Sequence, residues 1–150
     1  MLDLRSLYQE TILEHGKRPR NFGPLLDATH HGRGHNPLCG DQCTVHLKLD
    51  GDVITEARFE GLGCAISTAS ASLMTEALPG MKLADVERLS HDVRALVTGE
   101  GDEGVDRDQL GKLAIFEGVR SFPMRVKCAT LAWHTLTAAI HQNDNLVTTD

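Results

Sequence analysis

Along the first seventeen residues Leu4, Leu7, Tyr8, Thr11 and Ile12 fall on one face of a helix, and Pro19, Gly23 and Pro24 then break the pattern. The chain is therefore predicted to open with an amphipathic helix. From Cys43 the period changes to two: Cys43, Val45, Leu47 and Leu49 alternate with Thr44, His46, Lys48 and Asp50, the pattern of a half-buried strand. Asp50-Gly51-Asp52 is a hairpin turn signal, and a returning strand is expected with Val53, Ala57 and Phe59 inward and Ile54, Glu56, Arg58 and Glu60 outward. The two strands should pair antiparallel.

Helical spacing then resumes. Ile66, Ala69, Leu73 and Ala77 lie in a small, Ser/Ala-rich stretch from Ala65 to Leu78 that Pro79-Gly80 closes. Leu83 to Thr98 reads as one or two more helices, and Gly99 to Asp108 as a polar loop. Val126, Ala129, Trp133, Leu136 and Ile140 mark a long last helix beginning near Pro123. Helix, strands, then helices is the α+β layout, with a small antiparallel sheet packed against several helices. Residues 1–150 suit one domain, with no internal repeat and no linker.

Composition narrows the setting. The formal charge of −6 leaves no basic footprint for nucleic acid, and the Lys17 to Arg20 cluster is too short to reverse that. Charges in the first ten residues leave no room for the apolar block of a signal peptide, and no later run approaches membrane-spanning length, so a cytoplasmic protein with no membrane partner is expected. In a reducing compartment cysteines point to metal or sulfur chemistry more than to disulfides.

Three of the four cysteines sit where elements begin or turn. Gly40 lets the chain bend so that Cys39 and Asp41 face one point; Cys64 follows Gly61 and Gly63; Cys128 is expected in or near the first turn of the last helix. A helix N-terminus favours thiolate at both latter positions. Three sulfurs and one carboxylate suit tetrahedral zinc, Zn2+. Without a C-x-x-C pair, a set of small buried residues that happen to be cysteines remains the alternative. Cys43, on the inward phase of its strand, is expected to fill the core. His30, His31 and His35 precede the site, and one could replace Asp41 as a ligand. Asp102, Glu103, Asp106 and Asp108 lack the order of a calcium loop. No histidine is marked as the base of a cysteine hydrolase.

Five segments together carry a resemblance: Leu-Tyr-Gln-Glu-Thr-Ile-Leu-Glu-His at 7–15, Arg-Pro-Arg-Asn-Phe-Gly at 18–23, Asn-Pro-Leu-Cys-Gly-Asp at 36–41, Gly-Leu-Gly-Cys-Ala-Ile-Ser at 61–67, and Phe-Pro-Met-Arg-Val-Lys-Cys-Ala-Thr-Leu-Ala-Trp at 122–133. The chain resembles the U-type iron–sulfur cluster assembly proteins, and within them the SufU branch. Two features set it nearer that branch than the IscU-like scaffolds: the added segment around Gly99 to Leu113, and Lys127 before Cys128 where the scaffolds carry histidine.

The resemblance implies zinc held by Cys39, Asp41, Cys64 and Cys128. It also implies sulfur taken as a persulfide from a SufS-type, PLP-dependent cysteine desulfurase, with downstream iron–sulfur assembly proteins receiving the product. A desulfurase histidine would enter the zinc shell as Cys39 leaves to accept the sulfur, Asp41 would tune that rearrangement, and Arg125 would contact the partner or steady the leaving thiolate. Two other readings stay open: a scaffold on which an iron–sulfur cluster is built, and a structural zinc domain.

Overall fold

A computed structural model describes residues 4–142 and 146–149, and the side chains of 9–142 and 146–149. Leu4, Leu7 and Tyr8 of the predicted apolar face therefore lie outside the described side chains, while Ile12 of the same face packs against the core. The elements are α1 (Leu4–Lys17), β1 (His30–Asn36), β2 (Asp41–Asp50), β3 (Val53–Leu62), α2 (Ala65–Ala77), α3 (Leu83–Thr98), a 3-10 turn (Asp102–Gly104), α4 (Arg107–Leu110), a 3-10 helix (Gly111–Val119), α5 (Pro123–Ile140) and β4 (Val147–Thr148). The fold is α+β, as expected. The strands lie in the order β3-β2-β1-β4, antiparallel except for the short β4, which pairs parallel with β1.

Strand β1 is absent from the hydrophobic pattern for a steric reason. Its inward positions are Gly32, Gly34 and Asn36, so no apolar alternation marks it. A Cβ on Gly32 would meet the backbone of Thr135 and Ala139, and one on Gly34 would overlap the Thr135 hydroxyl. Bare backbone at these positions is what lets α5 lie directly on the strand.

The β2–β3 hairpin turns at Gly51, whose φ of 62° suits glycine, as the Asp-Gly signal predicts. One correction concerns its phase. Ile54, placed outward by simple alternation, is fully buried with Ala57 and Phe59. A bulge between Lys48 and Leu49 inserts Thr55 as an extra residue, and the inward set shifts by one position across it. On the outer face His46, expected among solvated residues, is buried between His31 and Glu60, with hydrogen bonds of 2.7 Å to each.

The core lies between the sheet's inner face and α2, α3 and α5, with Val45, Leu47, Phe59, Met74, Leu96, Phe116 and Trp133 at its centre. Trp133 Nε1 donates to Ser70 Oγ (3.1 Å), which in turn donates to the Ala129 carbonyl (2.7 Å), so a buried polar chain fixes α2 against α5. On the far side of α2, Ser72 Oγ accepts from the Arg20 backbone N–H (2.8 Å) and meets His15 Nδ1 (2.7 Å), which ties down α1 and the chain leaving it.

The polar loop expected over Gly99 to Asp108 is more ordered than its composition suggests. Arg120 donates to the Leu96 carbonyl at the end of α3 (2.6 Å) and to Asp102 (2.9 Å), while Arg107 forms two bonds with Glu117 (2.6 and 2.9 Å). Asp106 caps α4 by accepting from the Asp108 N–H. Leu110, Leu113, Ile115 and Phe116 then join the core. Among the described residues no helix is long and apolar enough to cross a membrane.

Candidate metal centre

Three segments that are far apart in sequence meet at one end of the sheet. The loop joining β1 to β2 is closed by pairing of Asn36 with Asp41 and by a bond from Gly40 N–H to the Asn36 carbonyl (2.9 Å). Gly40, at φ 75°, makes the bend and leaves Cys39 at the exposed tip, while Asp41 is 3 % exposed as the first residue of β2.

Cys64 is the N-cap of α2. Its approach to Asp41 depends on Gly63, where a Cβ would stand 3.0 Å from Asp41 Oδ1 and overlap the Ser67 hydroxyl. Asp41 Oδ1 accepts from the Cys64 N–H (3.1 Å), and Asp41 Oδ2 lies 3.8 Å from Cys64 Sγ. Cys128, 3 % exposed, comes from α5 and lies 3.6 Å from Cys39 Sγ.

Ligand atoms of Cys39, Asp41 and Cys128 all fall within 4.8 Å of one another, a group able to hold a metal ion. Cys64 lies outside that tight group and meets it through Asp41 and Cys128. The donor chemistry suits zinc. Two sulfurs bound tetrahedrally at ~2.3 Å lie about 3.8 Å apart, close to the observed 3.6 Å and far beyond a disulfide. The buried Asp41 carboxylate forms no ion pair with Arg, Lys or His among the described residues, and its oxygens face the Cys64 N–H and Sγ, a setting that suits a metal ligand.

Burial, and then hydrogen bonding to Asp41, Cys64 and Cys39, pushes the Cys128 thiol far above its ordinary range.

Cys128 lies near the start of the last helix, as expected. It is the sixth residue of α5, in the second turn, because the helix starts at Pro123. Cys64, by contrast, stands at the N-cap of its helix. Cys43 fills the core as expected, its thiol pushed up to about 12 chiefly by burial. The three histidines stay away from the sulfurs: His30 bonds Thr29, His31 bonds His46, and the His35 carbonyl accepts from Thr149. Arg125 is exposed one turn before Cys128.

Asn36 escaped sequence reasoning as a site residue. It is wholly buried, and its Nδ2 donates to Cys39 Sγ at 3.0 Å. The Asn-Pro pair ahead of the cysteine, a turn-initiating signal, was the available clue.

Known proteins extend this picture. The model of the NifU-like N terminal domain matches residues 7–129. The chain is 40% identical over 143 residues to the zinc-dependent sulfurtransferase SufU of Bacillus subtilis (strain 168), covering 95% of each. It is 38% identical over 142 residues to the iron-sulfur cluster assembly scaffold protein IscU of Streptococcus pyogenes serotype M1, covering 95% of this chain and 87% of that one. A crystal structure described as a putative iron-sulfur cluster assembly scaffold protein for the SUF system, from Fervidobacterium islandicum AW-1, superposes with a TM-score of 0.82 at 34% identity, covering 87% of this chain and 94% of that one. With the match spanning all three segments that build the centre, the chain belongs to the NifU-like N-terminal domain family.

Proposed function

We propose that this protein works in iron–sulfur cluster assembly as a zinc-dependent sulfur carrier, taking persulfide sulfur on Cys39 from a SufS-type, PLP-dependent cysteine desulfurase. The observation that carries the reading is the contrast in burial within one ring of ligands. Cys128 and Asp41 are enclosed, Cys64 is half-buried, and Cys39 alone is exposed on a glycine-hinged loop. A macromolecular donor reaches that sulfur most readily.

Cys39, Asp41, Cys64 and Cys128 would hold the zinc, which when bound keeps cysteine ligands deprotonated at neutral pH. In the transfer, the Cys39 thiolate attacks the outer sulfur of the donor's persulfide. A new S–S bond forms at Cys39, the donor's S–S bond breaks, and the donor cysteine leaves as thiolate, so no outside oxidant or reductant is needed. Leu38, Leu62, Phe122 and Met124 are exposed apolar side chains on the three segments that carry the ligands, and they supply a surface for the desulfurase. Arg125, exposed beside them, would contact the same partner.

A scaffold reading draws support from the IscU relatives. Against it, Lys127 next to Cys128 offers an ammonium group, which has no lone pair for iron. Desulfurase turnover measured with and without the protein, alongside its metal content, separates the readings. Acceleration with about one zinc per chain supports the carrier. Unchanged turnover with a cluster assembled on the protein would replace it with the scaffold, and unchanged turnover with zinc alone would leave a structural domain.

A further inference from the structure

Asn36 ends β1 directly opposite Asp41, at the neck of the loop that carries Cys39. Its side chain is fully enclosed, and both ends of its amide are used: Oδ1 accepts from the Leu38 N–H at 3.2 Å, and Nδ2 donates to Cys39 Sγ at 3.0 Å. The first bond is an Asx turn that shapes the loop. The second reaches the sulfur itself. Among the described residues an amide donor meets Cys39 alone, since Cys64 and Cys128 face the Asp41 carboxylate and Cys43 faces the Thr135 hydroxyl.

We infer that Asn36 is the positioning residue for Cys39: its buried amide holds Sγ in one resting place and returns it there after each excursion. The inference rests on the reading of Cys39 as the sulfur acceptor. The bond from Asn36 Nδ2 to Sγ limits the Cβ–Sγ rotamers from which Cys39 can attack, so a persulfide arriving from solvent meets a sulfur already aimed.

Two substitutions separate this from a purely structural role. Asn36→Asp keeps an oxygen for the Leu38 N–H but loses the donor to Sγ. Asn36→Ser can still accept from Leu38 through its hydroxyl and is too short to reach the sulfur. Each should slow single-turnover sulfur transfer from the desulfurase roughly tenfold, the effect of one buried hydrogen bond, while half-saturating desulfurase concentration and zinc content stay as in the native protein and the melting temperature falls by only a few degrees.

A second readout needs no desulfurase. Iodoacetamide modification of Cys39, mapped by peptide mass and compared with Cys64 in the same sample, should slow several-fold in both variants. If native Cys39 gains no sulfur, the carrier reading fails while the alkylation comparison still judges Asn36. Native rates of transfer and alkylation in either folded variant, a raised half-saturation with an unchanged maximal rate, or unfolding of both variants would each overturn the inference.

Discussion

Cys39 Sγ lies 3.6 Å from Cys128 Sγ, yet the first is open to solvent and the second is enclosed by α5 and the sheet. On the proposed reading, one centre thus contains an accessible ligand and an enclosed one. Removing each should have opposite consequences. Cys128→Ala should empty the centre of metal and lower stability by roughly 3 kcal/mol or more, because site assembly is coupled to folding. At this chain length that is about 10 °C in melting temperature. Cys39→Ala should stay folded and accept no sulfur. Calorimetry, metal analysis and peptide mass mapping after reaction with desulfurase and cysteine check the pair; sulfur mapped to Cys64 or Cys43 would sink the assignment of Cys39.

Asp41 joins the centre to the fold. Its Oδ1 holds the Cys64 N–H at the start of α2, and its Oδ2 faces Cys64 Sγ. Asp41→Ala leaves three sulfurs and an open position for water, so zinc should largely remain. Transfer should fall further than zinc occupancy does, and stability by about 1–3 kcal/mol for the unpaired N–H. Normal transfer at full metal content would remove any tuning role for this carboxylate.

Much of this arrangement is readable from residue pattern, and the exceptions have identifiable causes. The hairpin, α2 and α5 follow from periodicity and from the Asp50-Gly51 and Pro79-Gly80 signals. Strand β1 does not, because Gly32 and Gly34 contribute close approach and no hydrophobicity. Ile54 is misplaced by alternation because a bulge is invisible to a period-two pattern. Cys39, Asp41, Cys64 and Cys128 could be nominated from the turns and helix starts beside them. Asn36 is harder to nominate: the Asn-Pro pair signals a turn, yet nothing local tells whether the side chain turns toward water or toward a sulfur three residues on.

The bare backbone of β1 gives a direct test of how the sheet carries α5. Gly34→Ala would drive a methyl group into the Thr135 hydroxyl and to 3.0 Å from Leu131 Cδ1, two side-chain ends that are themselves buried in the core. Overpacking of this kind costs about 1–3 kcal/mol. Because Cys128 rides on the same helix two turns earlier than Thr135, zinc affinity should weaken along with melting temperature. Unchanged melting in Gly34→Ala would mean that β1 and α5 are less tightly engaged than their contact implies.

Acid should destabilise the protein through two histidines that have no part in the centre. Burial lowers the His15 ring below its ordinary 6.5, with Arg20 adding to the effect and Glu76 opposing it. Burial and then Arg94 lower His134 in the same direction. Above pH 6.5 both rings are neutral whether the chain is folded or not, and neither affects stability. Below it the unfolded chain takes up protons that the folded one refuses, so stability falls as pH drops through 6.5 and continues to fall until the folded rings protonate. His134→Gln removes one such group without deleting a hydrogen bond. Its melting temperature should drop less between pH 7.5 and 5.5 than that of the native protein. Loss of metal in acid affects both proteins alike, so the difference between the two slopes isolates the histidine. An equal or steeper slope in His134→Gln would show that this ring is no more reluctant to protonate in the folded protein than in the unfolded chain.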